Sequence, residues 1–127
     1  MTSSKIILDT SCWIEYFLGT HNAERYAGLV TGSTVLVPTL ILFEVARTLL
    51  QSFESDVVLR AVSLIKQQHV IPLTEGVALD AAQLAANLHL STADAVICAS
   101  ATANHATLFT HDPDLQGLDN VDYIPKS

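Results

Sequence analysis

Basic residues are scarce in this sequence, with 6 Lys and Arg against 13 Asp and Glu and a formal net charge of −7. That balance argues against a broad electrostatic footprint on nucleic acid, which needs Lys and Arg clustered on one face. Cysteine is almost missing. Cys12 and Cys98 lie in apolar stretches, neither belongs to a C-x-x-C pair, and no His stands at zinc-finger spacing from either. Both read as buried, reduced thiols of a cytosolic protein. Long apolar runs are missing too, since none approaches the roughly 18 residues of a membrane span. The opening stretch has only Ile6-Ile7-Leu8 before an Asp, too short for the core of a signal peptide. A soluble, cytoplasmic protein without membrane contact is expected. Trp13 and the tyrosines do not form a stacking array for single-stranded bases. Internal repeats, low-complexity tracts and linkers are absent.

What the chain does have is apolar residues, 50 % of its length, enough for a core without staples. Its 127 residues suit one domain over positions 1–127. Ile6-Ile7-Leu8 reads as a strand buried on both faces, ending at the helix-capping cluster Asp9-Thr10-Ser11. An amphipathic stretch from Trp13 to Leu18 ends at Gly19, and a second helix covers Ala23 to Val30 and closes at Gly32. The segment from Thr34 to Val37, before Pro38, is a second strand. Leu42, Val45, Ala46, Leu49, Leu50 and Phe53 then recur at the spacing of a helix lying on a sheet. Another helix from Ser55 to Lys66 turns Val58, Leu59, Val62 and Ile65 inward, and Val70-Ile71 is a short strand. Val77, Ala81, Leu84, Ala85 and Leu88 form a further stripe, and the small apolar stretch from Ala93 to Ala103 suits a helix buried on several sides. Leu108-Phe109 and Val121-Asp122-Tyr123 complete the strands. Strands alternating with helices predict an α/β fold on a largely parallel sheet.

Four acids stand near apolar neighbours. Asp9 follows the first strand, Glu44 interrupts Leu40 to Ala46, Asp94 interrupts Ala93 to Ile97, and Asp112 lies just past Leu108-Phe109. Carboxylates in such surroundings are costly unless paired, hydrogen-bonded or bound to a cation. Each also has a purely structural use. Asp9 can cap the first helix. Glu44 can pair with Arg47 one turn along, worth roughly 0.2–0.5 kcal/mol. Ser91-Thr92-Ala93-Asp94 has the form of a capping box, and Asp112-Pro113 that of an N-cap before Pro at the first helical position. Joint placement favours a shared site. In an open parallel sheet, ligands bind beyond the carboxyl ends of the strands where strand order reverses. Asp9 and Asp112 both follow strands, while Glu44 and Asp94 occupy the first turns of helices that can begin at the same edge. Four carboxylates gathered there repel one another without a counter-cation. Oxygen ligands with no His or Cys point to Mg²⁺ or Mn²⁺ rather than zinc.

Ile7-Leu8-Asp9-Thr10-Ser11, Glu44 within Leu42-Phe43-Glu44-Val45, the stretch from Ser91 to Ile97, and Leu108-Phe109-Thr110-His111-Asp112 resemble, in that order, the motifs of the PIN domain. The resemblance runs from about residue 5 to 123. Within that family the chain is similar to the single-domain VapC-type toxins of bacterial and archaeal toxin–antitoxin pairs. The resemblance implies a three-layer α/β/α fold with a central parallel sheet and the activity of a metal-dependent endoribonuclease. It implies Asp9, Glu44, Asp94 and Asp112 as the catalytic acidic quartet; Mg²⁺ or Mn²⁺ is expected to be held by some of these, mostly Asp9 and Asp94. Thr10, Ser11 and Thr110 match hydroxyl positions that orient a ligand or water in that family. An RNA substrate and a cognate antitoxin protein follow as expected partners. The residues before Asp94 depart from the pattern, since the basic group that many such toxins carry is missing and only His89 is nearby.

The few cations suit recognition of a short, folded RNA by shape and a handful of contacts. A homodimer would pool the cations of two chains, and the apolar surplus permits such an interface. Three other readings compete. A PIN-like module that binds RNA or protein without cutting it is set apart by the absence of metal binding. A phosphatase with Asp9 as nucleophile wants a second Asp at position 11, where Ser stands. A phospho-acceptor signalling domain wants a paired acid ahead of the first strand and a Lys late in the sheet, where Ser3-Ser4 and Thr110-His111 stand. His21, His69, His89, His105 and His111 show no ligand spacing; His111, beside Asp112, could assist at the site, but a solvent-exposed loop histidine is the favoured reading.

Overall fold

The computed structural model describes residues 4–126; the ends of the expected domain at 1–3 and 127, including Ser3, lie outside the described residues. Strand β1 (Lys5–Leu8) leads to helices α1 (Thr10–Leu18) and α2 (Ala23–Gly32) and strand β2 (Thr34–Pro38). Helices α3 (Thr39–Leu50) and α4 (Ser55–Lys66) precede strand β3 (His69–Ile71). Helices α5 (Glu75–Leu88) and α6 (Thr92–Ala103) are followed by strand β4 (Thr107–Thr110), a 3₁₀ turn (Pro113–Leu115) and strand β5 (Val121–Tyr123). Among the described residues all five strands join one parallel sheet in the order β3-β2-β1-β4-β5, flanked by the six helices in an α/β/α arrangement. Parallel strands need helical crossovers, and the helices cover both faces of the sheet. That is why Ile6, Ile7 and Leu8 are all buried and read as an unbroken apolar run rather than an alternation. Helix α5 packs along α6, while α1 packs against α2 and α3, and α3 against α4.

The chain builds outward from β1 through β2 to β3, then returns to the other side of β1 with β4. Strand order therefore reverses between β1 and β4, and the crevice beyond their carboxyl ends is the switch point of the sheet. Register decides what stands there. Leu8 pairs with Phe109, so Asp9 leaves the sheet beside Thr110, the last residue of β4. Helix α1 starts at this edge with Asp9 as its N-cap, the carboxylate accepting the Thr10 N–H at 2.8 Å. It stops at Gly19, whose φ of 70° is a left-handed conformation that side-chain-bearing residues resist, and whose N–H reaches the Glu15 carbonyl at 3.0 Å. Helix α6 starts behind Ser91, whose Oγ accepts the Asp94 N–H at 3.2 Å.

Two of the expected helical stripes sit differently. Helix α3 buries Ile41, Val45 and Leu49 and leaves Leu50 exposed, with Phe53 exposed beyond its end. Helix α4 buries Val58, Ala61 and Ile65 and turns Leu59 out to 65 % exposure. A helix on a sheet is covered along one stripe only, and the α3–α4 pair carries more apolar surface than that stripe hides. Helix α6 is buried on several sides as expected, from Ala95 and from Ile97 through Ala101. Among the described residues no helix is long and apolar enough to cross a membrane.

Candidate metal centre

Asp9, Glu44, Asp94 and Asp112 line one cavity of about 830 Å³, together with Thr10 and Ser11. Each acid arrives by a different route. Asp9 is the first residue past β1, and Asp112 lies two residues past β4. Glu44 stands in the second turn of α3, which starts directly after β2, and Asp94 stands in the first turn of α6. Threonine hydroxyls tie these elements together. Thr10 Oγ1 donates to Glu44 Oε1 at 2.7 Å, and Thr110 Oγ1 donates to Asp9 Oδ2 at 2.7 Å. Thr110 Oγ1 also accepts the Asp112 N–H at 3.0 Å. The two threonines expected to orient a ligand or water are thus turned onto carboxylates.

The tightest gathering of ligand atoms is not the whole quartet. Asp94, Asp112 and Asp114 offer oxygens within 4.8 Å of one another, while Asp9 and Glu44 stand outside that trio with their threonine partners. Asp114 was missed in the sequence. Its only signal there is the Asp-x-Asp spacing after β4, which the 3₁₀ turn folds so that Asp112 Oδ1 accepts the Asp114 N–H at 2.9 Å. The structural uses coexist with the clustering: Asp9 caps α1, Ser91 caps α6 and Asp112 caps the 3₁₀ turn. The Glu44–Arg47 pair does not form among the described residues. Arg47 instead lies over the Phe43 ring at 5.5 Å, because Glu44 is turned toward Thr10.

Electrostatics at the crevice favour a positive guest. Burial raises Asp9 above the usual carboxylate range against the hydrogen bonds from Thr110 and Thr10, and the charges of Glu44 and Asp112 add to the rise. Asp94 is pushed up to about 6, first by burial, then by its hydrogen bond with Asp112 and by the charges of Asp112 and Asp9. Carboxylates this close disfavour one another's charge, and a counter-cation would relieve that repulsion. A donor set made only of carboxylate oxygens fits a hard divalent ion. Neither cysteine competes as a ligand, because burial pushes both thiols up to about 12.

His111 is a correction to the sequence reading. Instead of facing solvent it is buried, with 4 % of its surface exposed. Its ring meets Tyr26, Glu15 and the Ile124 carbonyl, groups that come from three other parts of the chain. Glu15 is held below the usual carboxylate range. Burial pushes it up, but the Asn22 N–H, the His111 ring and the Thr20 hydroxyl together outweigh that push.

The sequence model of the PIN domain matches residues 6–121, nearly all of the described chain. The chain belongs to the PIN domain family. Solved structures similar to this PIN domain include a toxin–antitoxin complex from Klebsiella pneumoniae, with a TM-score of 0.78 and 21% identity over 92% of this chain and 95% of that one. VapBC2 from Rickettsia felis, bound to a DNA fragment from its promoter, aligns with a TM-score of 0.76 and 14% identity over 97% and 99% of the two chains. DNA-bound VapBC from Salmonella typhimurium aligns with a TM-score of 0.75 and 17% identity over 96% and 98%. At such identities the likeness is one of fold. No curated protein matches the chain in sequence.

Proposed function

We propose that this chain, taken as a single PIN domain over residues 1–127, is a cytoplasmic, metal-dependent endoribonuclease and the toxin of a toxin–antitoxin pair. The observation that carries the reading is the convergence of Asp9, Glu44, Asp94 and Asp112 on one cavity at the switch point of a parallel sheet. The likeness in fold to toxin–antitoxin complexes supports it. Asp94 and Asp112 would hold Mg²⁺ or Mn²⁺, with Asp9 and Glu44 completing the quartet and Asp114 alongside. When bound, such an ion supplies Lewis-acid chemistry at the scissile phosphate and a nucleophile at neutral pH.

The chain's own residues supply the rest. Thr110 and Thr10 fix the orientations of Asp9 and Glu44, so the carboxylates need little rearrangement as charge develops. Ser11 lines the same cavity and, of the three hydroxyls expected from the sequence, is the one left to orient an attacking water. Lys126 is the one Lys or Arg lining the cavity and meets the RNA backbone there. The exposed apolar residues of α3 and α4, Phe43, Leu50, Leu59 and Leu64, give a cognate antitoxin or a second copy of the chain a surface to cover. Cleavage of folded RNAs by the purified protein with Mg²⁺ tests the activity. Asp94→Asn is expected to lower the rate at least about 100-fold, and a chelator is expected to stop it. Parental activity in the variant would overturn the mechanism. Lack of both metal binding and cleavage in the wild type would leave a non-catalytic PIN-like binding module.

A further inference from the structure

Beside the acids lies a buried polar chain that the metal chemistry does not use. His111 stands between Thr110 and Asp112, and both of its ring nitrogens are engaged. Nδ1 lies 2.7 Å from the Ile124 carbonyl, which only accepts, so Nδ1 donates. Nε2 lies 2.6 Å from Glu15 Oε2 and 2.7 Å from the Tyr26 hydroxyl, and a carboxylate also only accepts. Cys12 Sγ donates to the Phe109 carbonyl at 3.3 Å, and that same carbonyl takes the Asp9 N–H at 2.9 Å.

The Cys12 and Asp9 bonds to Phe109 thus lie next to the His111 network without a bond joining the two. The His111 network ends at Ile124, whose N–H donates to the Thr110 carbonyl at 2.7 Å. Thr110 and Asp112 flank His111 and belong to backbone that the network grips. Buried polar networks are stable only when their members are satisfied together, and the loss of one partner loosens the others. We propose that His111, clasped by Glu15, Tyr26 and Ile124, is a positioning residue that sets the placement of Thr110 and Asp112 and thereby the affinity of the acidic site for its cation. This rests on the reading of the acids as a divalent-metal site. His111 borders the same cavity as the acids, and its proposed effect is exerted through Thr110 and Asp112 rather than as a ligand.

Mn²⁺ affinity, read by electron paramagnetic resonance well below the melting temperature, tests the proposal in wild type, His111→Phe, His111→Gln, Glu15→Gln and Ile65→Val. His111→Phe keeps the bulk of the ring and removes its three polar contacts, so Mn²⁺ is expected to bind about tenfold more weakly. His111→Gln retains an amide able to reach Glu15 and is expected to recover part of that loss. Glu15→Gln, at the partly exposed end of the network, is expected to weaken binding a few-fold and decides the matter if the His111 variants do not fold. Ile65→Val, in the core of α4 and outside the site, is expected to lower the melting temperature with Mn²⁺ affinity unchanged. That contrast separates positioning from general loss of stability. Unchanged affinity in both His111→Phe and Glu15→Gln would overturn the proposal and leave the metal site standing. Absence of Mn²⁺ binding in the wild type would overturn the metal reading and this proposal with it.

Discussion

Asp94 carries a carboxyl group that burial, the hydrogen bond with Asp112 and the charges of Asp112 and Asp9 push up to about 6 from an ordinary value of 3.8. Between those two values the folded chain holds more protons at this position than the unfolded chain does. Its contribution to stability therefore falls as pH rises from about 4 to 6 and stays low above that window. In chelator at neutral pH, Asp94→Asn is expected to melt at a higher temperature than wild type by calorimetry. A lower melting point would contradict like-charge strain in the trio. Metal affinity runs the other way, since a ligand must lose its proton first, and Mn²⁺ is expected to bind more weakly as pH falls below about 6. At this scale the four acids were legible because each one breaks or borders an apolar run. Asp114 was not, because it sits in a polar turn where one more acid gives no contrast. His111 was not, because Glu15, Tyr26 and Ile124 are far from it in sequence and only the fold makes them neighbours.

Each acid owes its position to an element that begins or ends at the carboxyl edge of the sheet. The elements themselves were legible: apolar runs at Ile6 to Leu8 and at Leu108-Phe109 marked strands buried on two faces, and capping residues marked the helices that follow. The outward faces of α3 and α4 were not. Periodicity shows that Leu50, Phe53 and Leu59 are apolar but not whether anything covers them. Ser91 links element to site, since its hydroxyl accepts the N–H of Asp94 and holds the first turn of α6. Ser91→Ala is expected to cost about 1 kcal/mol in urea unfolding. A variant as stable as wild type would show that α6 keeps its start through packing alone.

Across the whole molecule, the described residues include only six Lys and Arg, and three of these have a partner within the chain. Arg25 pairs with Asp122 and Arg60 with Asp56, each at 3.6 Å, and Arg47 lies over Phe43. Binding of a folded RNA to Asp94→Asn is therefore expected to depend weakly on salt, with a log–log slope no steeper than about −2. A much steeper slope would mean that other cations, such as those of a second copy in a homodimer, join the contact. The acidic balance was plain in the sequence, whereas the pairing of individual arginines depends on strands and helices that meet only in the fold. The central claim, a divalent-metal site built from Asp9, Glu44, Asp94 and Asp112, is tested most directly by titrating Mn²⁺ into wild type and Asp94→Asn side by side with calorimetry. Saturable binding by the wild type that is lost in the variant is the expected result. Binding of equal strength in both proteins, or in neither, would contradict it.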